Sequence, residues 1–163
     1  MPFHRKVFDV QPAHPCAVLL ASDGRQDFSR EAVARAAAIA GGERVAVVTI
    51  AKIYGSSFGL PHPGLLPTKP ELDERRGWVN AAIRGIEAAG GSADGQVAAT
   101  RRAGKKLAAV ARLRQPRIVV IDETPVRSGV RRLVEGDVGS ELRRMLRKDG
   151  IEVEVVPSSV GRS

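Results

Sequence analysis

Cysteine is nearly absent: the 163 residues hold one, Cys16. No internal disulfide can form, and a lone thiol fits a reducing compartment, so a cytoplasmic location is expected. Histidine is almost as scarce. His4, His14 and His62 show no ligand spacing and have no cysteine partner, which argues against a zinc site. They also supply no Ser/His/Asp set for nucleophilic catalysis. One Trp and one Tyr leave no aromatic platform for stacking single-stranded bases. No apolar run approaches the ~18–20 residues of a spanning helix, so no membrane contact is expected. The segment Met1–Lys6 carries positive charge with no apolar segment behind it, so no secretory signal is expected.

What is there reads as one globular domain. Hydrophobic residues make up 43% and charged residues 27% of the chain. The net charge of +8 favours contact with polyanions, although charge alone speaks of solubility and non-specific binding. Residues 1–14, with Pro2 and Pro12, show no period and are expected to form an arm. Residues 15–157 are expected to form the domain, and residues 158–163 a tail.

Within the domain, apolar runs alternate with helical patterns. Cys16–Ala21 and Arg44–Ala51 are continuous apolar runs, as in buried central strands. Cys16 is expected to be a small core residue, because apolar surroundings raise a thiol pKa. Ser29 opens a helix through Ile39 that Gly41-Gly42 ends, with Ala32, Val33, Ala36, Ala37 and Ala40 as its narrow inner face. Residues 52–68 are rich in Gly and Pro, and a loop of that length is usually functional or mobile. Thr68 and Glu71 form a capping-box pattern for a helix to about Ala89, with Leu72, Val79, Ile83 and Ile86 at helical spacing. Gln96–Thr100 reads as a weak edge strand, and Gly104–Arg114 as a helix that Pro116 forbids from continuing. A strand over 117–122 follows. A last helix begins near Gly136-Asp137 and closes at Gly150. Ile151–Val156 alternates apolar and acidic residues, as a strand with one covered face does. Strands alternating with helices imply a parallel α/β sheet with right-handed crossovers.

Strand one ending in Ser22-Asp23-Gly24, the helix after Ser29, the long loop after strand two, and strand four–loop–Gly136–helix–strand five together resemble the universal stress protein family over about residues 15–157. The resemblance implies a Rossmann-like five-stranded parallel sheet in the order 3-2-1-4-5, helices on both faces, and a homodimer through strand 151–156. One branch of that family binds ATP with G-x-x-G-x(9)-G-[ST] after strand four. Those positions fall on Glu123, Val126, Gly136 and Asp137, and only Gly136 matches. Carboxylates at 123 and 137 would stand where phosphate oxygens belong. At ~5 Å and an effective dielectric near 20, each such encounter costs roughly 3 kcal/mol. Asp23 and Ile50 match the family's strand-one acid and the apolar residue beside adenine. The residues the resemblance assigns to a nucleotide are therefore Asp23, Ile50, Arg127, Gly136, Asp137 and Val138.

Other candidates each have a plainer reading. Asp23, Asp122 and Glu123 end neighbouring strands and could hold a hard cation, or could cap loops and helix N-termini instead; capping is the expectation, with no metal. The segment from Ser22 to Ser29 is one residue too long for the S-G-G-x-D-S loop of adenylating enzymes, so an ordinary capped turn is expected. Two basic clusters, Arg101, Arg102, Lys105 and Lys106, and Arg127, Arg131 and Arg132, could meet phosphates or be solvated faces. Arg143, Arg144, Arg147 and Lys148 suit the C-terminal end of the last helix dipole. The expected role is non-catalytic: stress-linked ligand sensing or partner binding, with no cofactor required and without tight ATP binding. An adenine-nucleotide binder with weak hydrolysis is the first rival, and a polyanion-binding module the second.

Overall fold

Each apolar run becomes a strand because its neighbours cover it on both sides. The computed structural model describes residues 15–53, 66–123 and 138–157. In chain order the elements are β1 (Val18–Ser22), α1 (Arg30–Ala40), β2 (Arg44–Lys52), α2 (Lys69–Ala88), β3 (Ser92–Thr100), α3 (Ala103–Arg114), β4 (Ile118–Glu123), α4 (Val138–Leu146), a 3-10 turn (Arg147–Asp149) and β5 (Glu152–Pro157). The sheet has five strands in the order β3-β2-β1-β4-β5, and every pairing is parallel. The expected α/β class and strand order are both realised. The arm, the tail and most of the 52–68 loop lie outside the described residues.

β1 sits at the centre and all five of its residues are buried. One face of the sheet carries Leu19, Ala46, Val48 and Ile121 against α3 and α4, through Leu107, Ala111, Leu142 and Leu146. The other face carries Val18, Leu20, Val45, Val47 and Val120 against α1 and α2, through Ala32, Ala36, Val79 and Ile86. Alanines on α1 bury little area themselves, but their size lets the helix axis approach the strands. Burying a Val, Leu or Ile is worth roughly 1.5–3 kcal/mol each, so this two-sided core is the main source of stability. Cys16 precedes β1 instead of beginning it. It is buried, and burial pushes its thiol pKa up despite the nearby Arg114 guanidinium.

The caps follow the sequence closely. Ser29 Oγ accepts from the Ala32 N–H at 3.1 Å, and Gly41 ends α1 in the left-handed region. Thr68 and Glu71 complete both halves of the capping box on α2.

β3 is the correction. It runs from Ser92 and not from Gln96, pairing residue for residue with Arg44–Lys52. The extra residues, Ser92–Gly95, have poor strand propensity. Tertiary contacts override it. Asp94 accepts from both terminal nitrogens of Arg114, at 2.8 and 2.9 Å, and from Arg44 at 3.1 Å. Gly95 has no side chain because a Cβ there would lie 2.4 Å from Val79 Cγ1 and 2.8 Å from the Val47 carbonyl oxygen.

Candidate functional site

In this strand order the chain leaves β1 toward β2 on one side, and β4 returns on the other. The crevice beyond their carboxyl ends is where open α/β sheets bind ligands. Ser22 and Asp122 are register partners there. The Ser22 hydroxyl lies 2.9 Å from the Thr49 hydroxyl at the end of β2 and accepts from the Gly24 N–H at 3.0 Å. That turn is tight: Gly24 has φ +83°, and a Cβ on it would overlap the Ile50 carbonyl.

Asp23 stands at the head of the turn. Its Oδ1 accepts from the Arg25 N–H at 3.0 Å, its Oδ2 is 3.9 Å from Arg25 Nε, and its side chain is 8% exposed. Asp122 is 4% exposed. Its Oδ2 accepts from the Ser29 N–H at 2.6 Å, so it anchors the start of α1, while its Oδ1 is buried without a hydrogen-bond partner. Burial pushes the Asp122 carboxyl above the ordinary range. Hydrogen bonds from Ser29 oppose that shift, and the Asp23 and Glu31 charges add to it. The expected capping role therefore describes Asp122 well. Among the described residues, no three His, Cys, Asp or Glu side chains are grouped to hold a metal ion.

Ile50 is buried in β2 beside this turn. Val138 is the first residue of α4 and packs partly buried against the α3–α4 side of the core. Arg127, Val126, Gly136, Asp137, Arg131 and Arg132 lie outside the described residues, and of Glu123 the backbone alone is described, as the last residue of β4. Asp23, Ile50 and Val138 are thus the nucleotide-assigned residues whose places are known.

Sequence reading missed Arg75. From α2 its Nε donates to the Ile50 carbonyl at 2.9 Å and one terminal nitrogen donates to the Gly24 carbonyl, also at 2.9 Å. The guanidinium lies 5.2 Å from the Trp78 ring centre. It ties α2 to the turn after β1 and to β2 itself. No short-range motif marks it; its spacing from Glu71, whose carbonyl it also reaches at 3.3 Å, is the one local sign.

The basic cluster at 101–106 is brought together. Arg101, Arg102, Lys105 and Lys106 line one groove at the start of α3, with Ile53, Leu66 and Ala109 as its apolar wall. The apolar members could not be read from sequence, because Ile53 and Leu66 come from either end of the 52–68 stretch.

The universal stress protein from Archaeoglobus fulgidus superposes with a TM-score of 0.60 at 16% identity, covering 95% of this chain and 98% of that one. A universal stress protein in complex with cAMP gives 0.59 at 19% identity, covering 89% and 99%. The Archaeoglobus fulgidus protein in complex with dAMP gives 0.55 at 15% identity, covering 89% and 98%. The chain has the universal stress protein fold. No protein-family model and no curated protein matches the sequence. Within the universal stress protein fold, the Ser22–Ser29 turn is bonded to the end of β4 through Ser29 and Asp122. Among the described residues, no helix is long and apolar enough to cross a membrane.

Proposed function

We propose that this chain is a cytoplasmic, non-catalytic stress-type protein of the universal stress family that senses a ligand or partner. We further propose that it binds ATP poorly, at best in the millimolar range, without turning it over. The observation that carries the ligand class is the crevice itself: Asp23 held by its turn beside Ile50, in a fold whose solved neighbours include complexes with cAMP and dAMP. Weak affinity rests on the sequence after β4. Glu123, Val126 and Asp137 stand where the family's ATP-binding branch has two glycines and a Ser or Thr. Glycines there let backbone N–H groups close on phosphates, and carboxylates repel them. Arg127, Arg131 and Arg132 act in the opposite direction.

Calorimetry with ATP and cAMP, with and without Mg²⁺, tests this on the wild type and on a Glu123→Gly, Val126→Gly, Asp137→Ser variant. The variant should bind ATP at least tenfold more tightly. Micromolar binding by the wild type would overturn the weak-binding reading and make this an adenine-nucleotide binder.

A second reading concerns self-association. We propose a homodimer through strand 151–156. The Glu152 N–H donates to the Arg117 carbonyl at 3.3 Å, so even-numbered residues of β5 bond to β4 and the backbone groups of odd-numbered ones face away from β4. An unpaired edge of this kind invites a second strand. Ile151, Val153 and Val155 pack toward α4, while Glu154 turns to Arg35 on α1, with bonds of 2.6 and 3.0 Å. Both faces of β5 are thereby fixed, and the backbone edge, where Arg143 Nε bonds the Val153 carbonyl at 3.1 Å, is what a second strand would pair with.

A further inference from the structure

We propose that the groove at the start of α3 is a binding site for a free small organophosphate, an apolar body carrying a phosphate monoester. It shares no residue with the nucleotide-assigned set. Its volume is about 580 Å³, within the usual range for small-molecule sites. Ile53, fixed by its N–H bond to the Thr100 carbonyl at 2.8 Å, forms one apolar wall. Leu66 adds to it and stays 42% exposed, one of the two large apolar side chains that the described surface leaves open.

The charge at this groove is what selects the ligand. Arg101, Arg102, Lys105 and Lys106 surround it, and none of the four forms an ion pair among the described residues. They also sit at the wrong end of a helix. A helix N-terminus favours anions, by roughly 0.3–1 kcal/mol per charge near the surface. α3 has no acidic residue in its first turn and no side-chain cap from Arg102. Thr100 Oγ1 accepts the Arg102 N–H at 3.1 Å, outside the helix proper. Glu141 of α4 lies against Gly104 in the first turn of α3, but among the described residues it makes no ion pair with the four cations and does not line the groove. A dianionic phosphate would relieve the cation crowding, with arginine forks suited to its oxygens. The apolar wall would take the organic body, which inorganic phosphate lacks.

The test is an NMR titration of the isotope-labelled full chain with 1-naphthyl phosphate, 1-naphthol and inorganic phosphate. Expected are shifts at Ile53, Leu66 and Ala109, and a Kd for 1-naphthyl phosphate at least tenfold below those of the other two. A Lys105→Glu, Lys106→Glu variant and a Leu66→Asp variant should each weaken binding at least tenfold while the remaining resonances stay in place; all three positions are exposed, so the core is untouched. Equal affinity for inorganic phosphate, or binding unchanged in both variants, would overturn the proposal. So would shifts confined to other parts of the chain.

Discussion

Arg75, on α2, donates its Nε hydrogen to the carbonyl oxygen of Ile50 at 2.9 Å. The same guanidinium holds the Gly24 carbonyl, so one side chain joins the turn after β1 to β2, 51 and 25 residues away from it in sequence. Hydrogen bonds from a charged donor are worth about 1.5–3 kcal/mol each. Arg75 is 15% exposed, so water replaces them only in part. Arg75→Ala should lower the unfolding free energy by about 3 kcal/mol, read from urea denaturation. Arg75→Lys keeps the charge but not the fork and should recover less than half of that.

Gly24→Ala meets the same turn from the other side. The residue has φ +83°, and the new Cβ would be 2.0 Å from the Ile50 carbonyl oxygen, which is backbone and cannot rotate away. The cost should be about 3 kcal/mol or more. Thermal unfolding measures it, and a loss under 1 kcal/mol would mean that the turn relaxes without this contact.

Two aspartates, Asp94 half-buried and Asp122 buried, should respond to pH in opposite directions. Burial would raise the Asp94 carboxyl, but hydrogen bonds and charge from Arg114, then Arg44, outweigh it and hold it below the ordinary range. Its stabilisation is present above the unfolded value of about 3.9 and is lost as pH falls through the folded one. Asp94→Asn should therefore be less stable than wild type at pH 7 and close the gap below pH ~4. Asp122 is raised by burial, so its favourable contribution is present below about 3.9 and is lost as pH rises through the folded value. Asp122→Asn keeps an acceptor for the Ser29 N–H and removes the buried charge. Relative to wild type it should gain stability between pH 4 and pH 7, as measured by urea midpoints at both pH values. A relative loss over that interval would show that the ionised carboxylate is needed.

Val153→Pro separates the dimer from the fold. Val153 points its backbone groups away from β4, and its carbonyl oxygen accepts from Arg143 Nε at 3.1 Å. Proline there removes an outward donor and leaves the ladder to β4 in place. The wild type should sediment as a dimer at micromolar concentration and the variant as a folded monomer. Arg143 covers the middle of this edge, so Arg143→Ala should tighten the dimer; a monomeric wild type would refute edge pairing.

The sequence by itself determined the alternation of strands and helices, the caps at Ser29 and Thr68, and the glycine stop after α1. These depend on local chemistry: which side chain reaches which free N–H, and which period carries the apolar residues. It also placed Asp23 and Asp122 at neighbouring strand ends, because β-strand runs followed by an acid can be counted along the chain. What the tertiary structure alone decided is whatever joins distant segments. β3 extends through Ser92–Gly95 because Arg44 and Arg114 hold Asp94 and because Val79 fills the space over Gly95. Arg75 gained its role from two carbonyls, one of them 51 residues away. Four cations adjacent in sequence became a groove only when Ile53 and Leu66 closed beside them. Propensity and period are properties of a few neighbouring residues, whereas these contacts exist only after the sheet has brought its strands into register.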